Sequence, residues 1–398
     1  MTFSSGRPRP AVTSRLCALL ASLPLFATPA FAVPLPFDFD FSTRPGYDAE
    51  RGFGYEADAS TKFSVRVPEG NYRVTLSYGG QPARTHVRVL AEQRRLMLEA
   101  DSGDRLATGT FIVNVRTPAL APLPENATGG TTVALKPREQ GSSNWDDKLT
   151  LEFEGDAPVR SLRIERVDVP TLYLAGDSTV TDQASAPSAS WGQMLTRFLA
   201  PDLAVANHAE SGETLKSFLT ELRLDKLLST LRAGDWVMIQ FGHNDQKSQW
   251  PQTYAPADST YRSYLRAYIA EVRRRGAMPI LVTSPERRNF DDMGHIVPSL
   301  GAYPDAVRAV ADEENVALID LNPMSRAFYE ALGPESAPRA FADEGRDRTH
   351  HNEYGAYALA RMVVEGIRAL DPKRSGGLAA HLAPDAGRFD PNHPEVGQ

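Results

Sequence analysis

At 398 residues, with 41% apolar and 23% charged content, the chain has the length for two globular domains and the composition of a folded protein. A formal net charge of −7 argues against nucleic acid as a partner, because a phosphate binder presents a basic face. One cysteine and eight histidines, with no Cys-x-x-Cys pair and no His-Glu-x-x-His, give neither a disulfide framework nor a metal-site pattern, and no cofactor is implied.

The N-terminus reads as an export signal. Arg7, Arg9 and Arg15 precede the apolar run 16–26, and Ala30-Phe31-Ala32 fits the small-x-small cleavage rule. The run is short for a membrane span, so residues 1–32 are expected to be removed, with Cys17 among them, in a periplasmic or extracellular product. No later stretch is long and apolar enough to predict membrane insertion. Oligomeric state leaves no sequence signal.

Residues 33–168 carry a β pattern. Phe63-Ser64-Val65-Arg66-Val67 alternates apolar and polar, Pro68-Glu69-Gly70 supplies a turn, and 71–78 alternates again. Further strands are expected at 85–90, 109–115, 131–135, 148–153 and 159–167. Short strands separated by Gly, Pro, Asn and Asp turns predict a β-sandwich or jelly roll. Tyr47, Phe53, Tyr55, Trp145 and Tyr173 suit sugar stacking, but core packing or the seam with the next domain is the commoner use. Asn144-Trp145-Asp146-Asp147 is a polar turn of the kind that takes a sugar or a calcium ion. The loop 118–130 is rich in Pro and Gly, and Asn126-Ala127-Thr128 within it fits a glycosylation sequon.

Val169-Pro170 changes the period. Strands are expected at 172–175, 203–207, 236–241, 279–283 and 316–320, with helices at 190–199, 215–231, 261–275, 303–314 and 352–370. Strands alternating with helices over 169–372 predict an α/β fold, a flavodoxin-like doubly wound parallel five-stranded sheet. Residues 373–398 are polar and Pro-rich and read as a loosely ordered tail.

Four segments near strand ends or ahead of the last helix carry groups that acyl transfer needs: Gly176-Asp177-Ser178-Thr179, Ser211-Gly212, Gly242-His243-Asn244-Asp245 and Asp347-Arg348-Thr349-His350. A serine hydroxyl needs an adjacent base, and histidine titrates in the right range. The histidine needs a carboxylate to hold its tautomer, and Asp347 lies three residues before His350. Oxyanion donors are available from a glycine amide at Gly212 and the side-chain amide of Asn244. Asp177 suits bracing of the serine loop, His243 and Asp245 suit hydrogen bonding behind the site, and His208 suits satisfying local polar groups. His351 competes with His350 for the role of base and otherwise fits helix entry or a substrate rim. Lys247, Arg287 and Arg288 suit either the carboxylates of an acidic polysaccharide or solvated loops.

These four blocks, in this order, resemble the GDSL or SGNH hydrolase superfamily, and within it the rhamnogalacturonan acetylesterase-like carbohydrate esterases. The resemblance implies Ser178 as nucleophile, His350 as base and Asp347 as its orienter. It implies an oxyanion hole from the amides of Ser178 and Gly212 and the side chain of Asn244. The implied partner is an acetylated polysaccharide or oligosaccharide, such as pectic rhamnogalacturonan. Glu213-Thr214 departs from the pattern, since related sequences often place Arg-Ser there. The β region resembles the galactose-binding-like domain that precedes some bacterial members. Two other readings stay open: a lipase or thioesterase of the same superfamily, and a carbohydrate-binding protein with an inert hydrolase half.

Overall fold

The computed structural model describes residues 1–2, 32–57, 59 and 61–394. The expected export signal therefore lies almost wholly outside the described residues. The N-terminal half holds β1 (Phe37–Asp40), β2 (Phe53–Tyr55), β3 (Lys62–Arg66), β4 (Gly70–Gly79), β5 (Thr85–Ala91), β6 (Arg95–Ser102), β7 (Leu106–Val115), β8 (Lys148–Gly155) and β9 (Val159–Arg166). They form two antiparallel sheets, ordered β1-β9-β4-β7 and β2-β3-β8-β5-β6. Alternate residues of the facing strands, among them Phe63, Val65, Tyr72, Val74, Leu76, Val87, Val89, Leu149, Leu151, Leu162 and Ile164, close one core.

In the second half the strands are β10 (Thr171–Gly176), β11 (Ser188–Ala189), β12 (Ala204–Asn207), β13 (Trp236–Gln240), β14 (Met278–Val282), β15 (Ala317–Ile319) and β16 (His351–Asn352). The helices are α1 (Trp191–Leu195), α2 (Leu215–Thr220), α3 (Arg223–Thr230), α4 (Thr260–Arg274), α5 (Tyr303–Glu313), α6 (Leu321–Ser336), α7 (Glu353–Ala369) and α8 (Pro372–Ser375). The parallel sheet runs β12-β10-β13-β14-β15, the flavodoxin-like order, while β11 and β16 form a separate antiparallel pair. Leu172, Leu174, Met238 and Ile280 face α1, α6 and α7, and Tyr173, Ala175, Val237, Ile239 and Leu281 face α2 to α5. Burial on both faces explains the continuous apolar strands.

Several expectations need correction. Residues 131–135 form no strand, apart from one bridge between Ala119 and Thr132. Their backbone groups are taken elsewhere: Val133 N–H bonds Pro118 O, and Ala134 N–H bonds Glu221 O in the other half. The helix expected over 215–231 breaks at Leu222, whose φ is 62°, a left-handed turn that separates α2 from α3. Helix α6 was masked in the sequence by Pro323 and by Gly333-Pro334; Pro323 sits in the first turn, where proline is tolerated. The tail is not loose through residue 394. Leu378, Ala386 and Phe389 join the core beside α7, and Trp236 Nε1 donates to Ser375 O at 2.6 Å.

A polar seam joins the halves. Arg95, at the start of β6, pairs with Asp182 at 3.1 Å with both side chains out of solvent, and Arg95 also bonds Val205 O at 3.2 Å. Trp145 is in this seam, under the Arg116 guanidinium and against His208, and its ring nitrogen donates to Glu139 at 3.0 Å. In the polar turn 144–147, Asn144 and Trp145 are buried and Asp146 caps the amide of Lys148. Replacing Phe389 with Ala is expected to lower the unfolding free energy by about 3 kcal/mol, because an almost buried ring packed on Phe328 would leave a cavity. Equilibrium urea denaturation of the full chain measures it; a value near zero would restore the loose-tail expectation.

Candidate active site

The sheet delivers its polar groups at one edge. β10 ends at Gly176, and the chain turns into Asp177-Ser178-Thr179 against β13. A Cβ on Gly176 would lie 2.6 Å from Val180 Cγ2 and 2.9 Å from Gln240 O, so the turn closes only over glycine. Asp177, wholly buried, accepts both the amide and the hydroxyl of Thr179 at 2.9 Å through one oxygen. Its other oxygen faces His243 Nδ1 at 3.4 Å. Burial works to raise the Asp177 carboxyl, but His243 and Thr179 outweigh it and hold it below its ordinary value. His243 is fixed from its far side by Pro285 O, 3.0 Å from Nε2. Asp177 thus fixes the serine turn, and His243 lies behind it.

Ser178 Oγ lies 2.9 Å from His350 Nε2, a contact between residues 172 positions apart. His350 Nδ1 lies 2.8 Å from Asp347 Oδ2. The other oxygen of Asp347 accepts the amides of Thr349 and His350 at 2.7 and 2.8 Å. Burial opposes ionisation of Asp347, but these two amides and the His350 ring lower its pKa below the usual value. Arg288 donates to the carbonyls of Gly345 and Asp347 and covers the Phe341 ring, so this cation braces the acid loop instead of facing a ligand.

His351 is not a rim group. It is 1% exposed, and its Nε2 meets Tyr329 OH at 2.7 Å. Burial pushes it down to about 3, so it stays neutral. Nor does His208 serve its neighbours as expected: it is packed between Trp145 and Tyr173, with no hydrogen-bond partner for Nδ1 among the described residues.

Gly212 follows β12 with φ of 83°, a conformation that favours glycine. Among the described residues, neither the Ser178 nor the Gly212 amide donates a hydrogen bond within the protein. Both amides are therefore open to an acceptor from outside the described residues. Asn244, 6% exposed, donates from Nδ2 to Glu213 O at 3.0 Å and accepts Lys247 Nζ at 2.8 Å, which leaves one amide hydrogen uncommitted. Asp245 accepts the first amide of α2, from Leu215, at 2.9 Å. The structure therefore brings Ser178, His350 and Asp347 into one line and ties the Gly212 loop to Asn244.

Sequence reasoning missed Lys136, Arg138, Glu139 and Arg223, which surround the Gly212 loop. The first three come from the β-rich half, and no local pattern marks them. The only hint is the unusual Glu213, wholly buried here.

Comparison with known proteins bears on this arrangement. The GDSL-like lipase/acylhydrolase family matches residues 174–358. Rhamnogalacturonan acetylesterase RhgT of Bacillus subtilis (strain 168) is 41% identical over 212 residues, covering 50% of this chain and 90% of its own. An uncharacterized esterase of the same organism, YxiM, is 28% identical over 326 residues, covering 81% of this chain and 78% of its own. A crystal structure of the Bacillus subtilis YxiM protein superposes with a TM-score of 0.48 at 25% identity, over 79% of this chain and 83% of that one.

Asp245 supplies a pH test of the buried charge behind the site. Burial, followed by Asp177, raises its pKa to about 7 from an ordinary 3.8. The folded state then holds a proton that the unfolded chain releases, so stability is fullest below pH 3.8 for this group and falls as pH rises toward about 7. Asp245→Asn is expected to flatten that decline. Melting temperature against pH for both proteins measures it, and parallel curves would refute it.

Proposed function

The chain belongs to the GDSL-like lipase/acylhydrolase family, and we propose that it is a secreted serine esterase that removes O-acetyl groups from plant cell-wall polysaccharide, with pectic rhamnogalacturonan as substrate. The observation that carries the reading is the hydrogen-bonded series Ser178–His350–Asp347, supported by Ser178 and Gly212 amides that donate to no described residue. The relatives named as rhamnogalacturonan acetylesterases support the substrate. The charged and apolar pattern of residues 7–32 supports export.

In this reading Ser178 Oγ attacks the acetyl carbonyl carbon while its proton passes to His350 Nε2. Asp347, ionised throughout, holds the ring through Nδ1 and stabilises the imidazolium. The oxyanion forms against the amides of Ser178 and Gly212 and the free hydrogen of Asn244 Nδ2. His350 returns the proton to the departing sugar oxygen, leaving acetyl-Ser178. Water then gives a proton to His350 and attacks the acetyl group; acetate leaves, and His350 reprotonates Ser178.

The surroundings favour a sugar over a long acyl chain. Lys247 stands over the half-exposed Trp250 at 4.6 Å, and Arg287 reaches Ser299 and the carbonyl of His243. Neither cation has an ion-pair partner among the described residues. Burial lowers the Lys247 pKa, and Arg287 beside it lowers it further; an arriving uronate carboxylate relieves that repulsion. An aromatic face beside two unpaired cations suits an acidic sugar.

Acetate release from acetylated rhamnogalacturonan, xylan and peptidoglycan tests the function. Ser178→Ala is expected to abolish release, and Asp347→Asn to lower kcat by about 10⁴-fold in a protein that still folds. Release that persists in Ser178→Ala would sink the proposal and favour an inert hydrolase half. Arg287→Met is expected to raise KM about tenfold for an acidic oligosaccharide relative to a neutral acetate ester. Equal effects on both would remove the acidic-substrate reading while leaving the esterase intact.

A further inference from the structure

The chain between β7 and β8 does not stay on its sandwich. It crosses the second half, where Lys226 Nζ donates to Ala119 O at 2.8 Å and Ala134 N–H donates to Glu221 O at 3.0 Å. It then makes a short turn at Lys136 to Glu139 over the Gly212 loop. Lys136 Nζ donates to Ser211 O at 2.8 Å and pairs with Glu213. Arg138 donates to the same Ser211 carbonyl and, through Nε, to Glu210 at 2.7 Å.

Ser211 C=O and Gly212 N–H belong to one peptide unit. That unit is planar, and in the usual trans form its carbonyl and amide point in opposite directions. Two cations holding the carbonyl on one side therefore fix the aim of the amide on the other. They also polarise the unit and make the amide a stronger donor. The same network reaches Asn244. The buried Glu213 carboxylate takes Lys136 and the Ser217 hydroxyl, the latter at 2.6 Å, while the Glu213 carbonyl takes Asn244 Nδ2. Arg223 backs it, 3.5 Å from Glu213 and doubly bonded to Glu139.

We propose that Lys136 and Arg138, contributed by the β-rich half, are positioning residues for the Gly212 oxyanion donor, so that the β-rich half completes the esterase site. This rests on the acyl-transfer reading above. It accounts for Glu213: where related sequences often carry arginine, this chain carries an acid that meets Lys136 from the β-rich half as well as Arg223 of its own. RhgT matches only half of this chain while spending 90% of its own length, which leaves it little chain from which to supply such a turn.

The test uses the full chain with 4-nitrophenyl acetate and a boronic acid that mimics the tetrahedral adduct. Lys136→Met and Arg138→Met are each expected to lower kcat by about tenfold, and together by about 100-fold, with KM within about twofold. Boronic acid affinity is expected to fall with kcat, and Lys136→Arg to recover most of the loss. Should the double variant fail to fold, Arg138→Met carries the same test, since that side chain is 57% exposed. Wild-type kcat in the variants, or a fall in kcat with boronic acid affinity intact, overturns the brace and leaves the esterase standing. A wild-type protein with no Ser178-dependent turnover overturns both.

Discussion

The His350 imidazole is hydrogen-bonded at both nitrogens, to Ser178 on one side and Asp347 on the other. Much of the second half exists to make that possible. The serine leaves the first strand of the parallel sheet, and the histidine stands just before the last long helix. The sheet order puts the first and third strands side by side, opening a crevice at the point where the winding reverses. Asp347 is held by amides of its own loop, and that loop is held by Arg288. Each support fixes one degree of freedom of a ring that has to stay within hydrogen-bond reach of a hydroxyl.

Charge taken out of water is the recurring cost of this arrangement. Asp177, Asp182, Glu213, Arg95 and Arg223 are all buried. Most are stabilised by a counter-ion or by several hydrogen bonds, as buried charge requires. Asp245 is the exception. It has one accepted amide and an oxygen without a partner, which is why burial dominates it. The two halves meet through such polar contacts as well as through apolar surface, since Leu90 and Leu96 of the β-rich half lie in the same core as α1 and α7.

How much of this was legible in the sequence depended on range. The alternation of Phe63 to Val67 and the apolar runs around Leu172, Val237 and Leu281 reported their strands, because period and burial are local properties. Ser178, Asp347 and His350 were legible as short motifs, and the three-residue step from Asp347 to His350 fits within one turn. That spacing favoured His350 over His351; what was not legible is that His351 is buried against Tyr329 instead of standing at a rim, because burial is tertiary. The break at Leu222 was hidden because leucine is a good helix former, yet Glu221 gives its carbonyl to a strand-like segment of the other half. The false strand at 131–135 has the same origin. Val133 is buried, but Ala134 is exposed, and what the segment sends across the seam is the Ala134 amide to Glu221 O.

Synthesis runs from the N-terminus, and the seam gives that direction a consequence. When the sandwich first emerges from the ribosome, Arg95 has no anion and Leu90 and Leu96 have no cover, because Asp182 and α1 are still untranslated. The sandwich, complete only at Arg166, therefore presents an unfinished surface until about thirty further residues supply Asp182 and α1. A sandwich that folds first is a waiting template for the half that follows it in the chain.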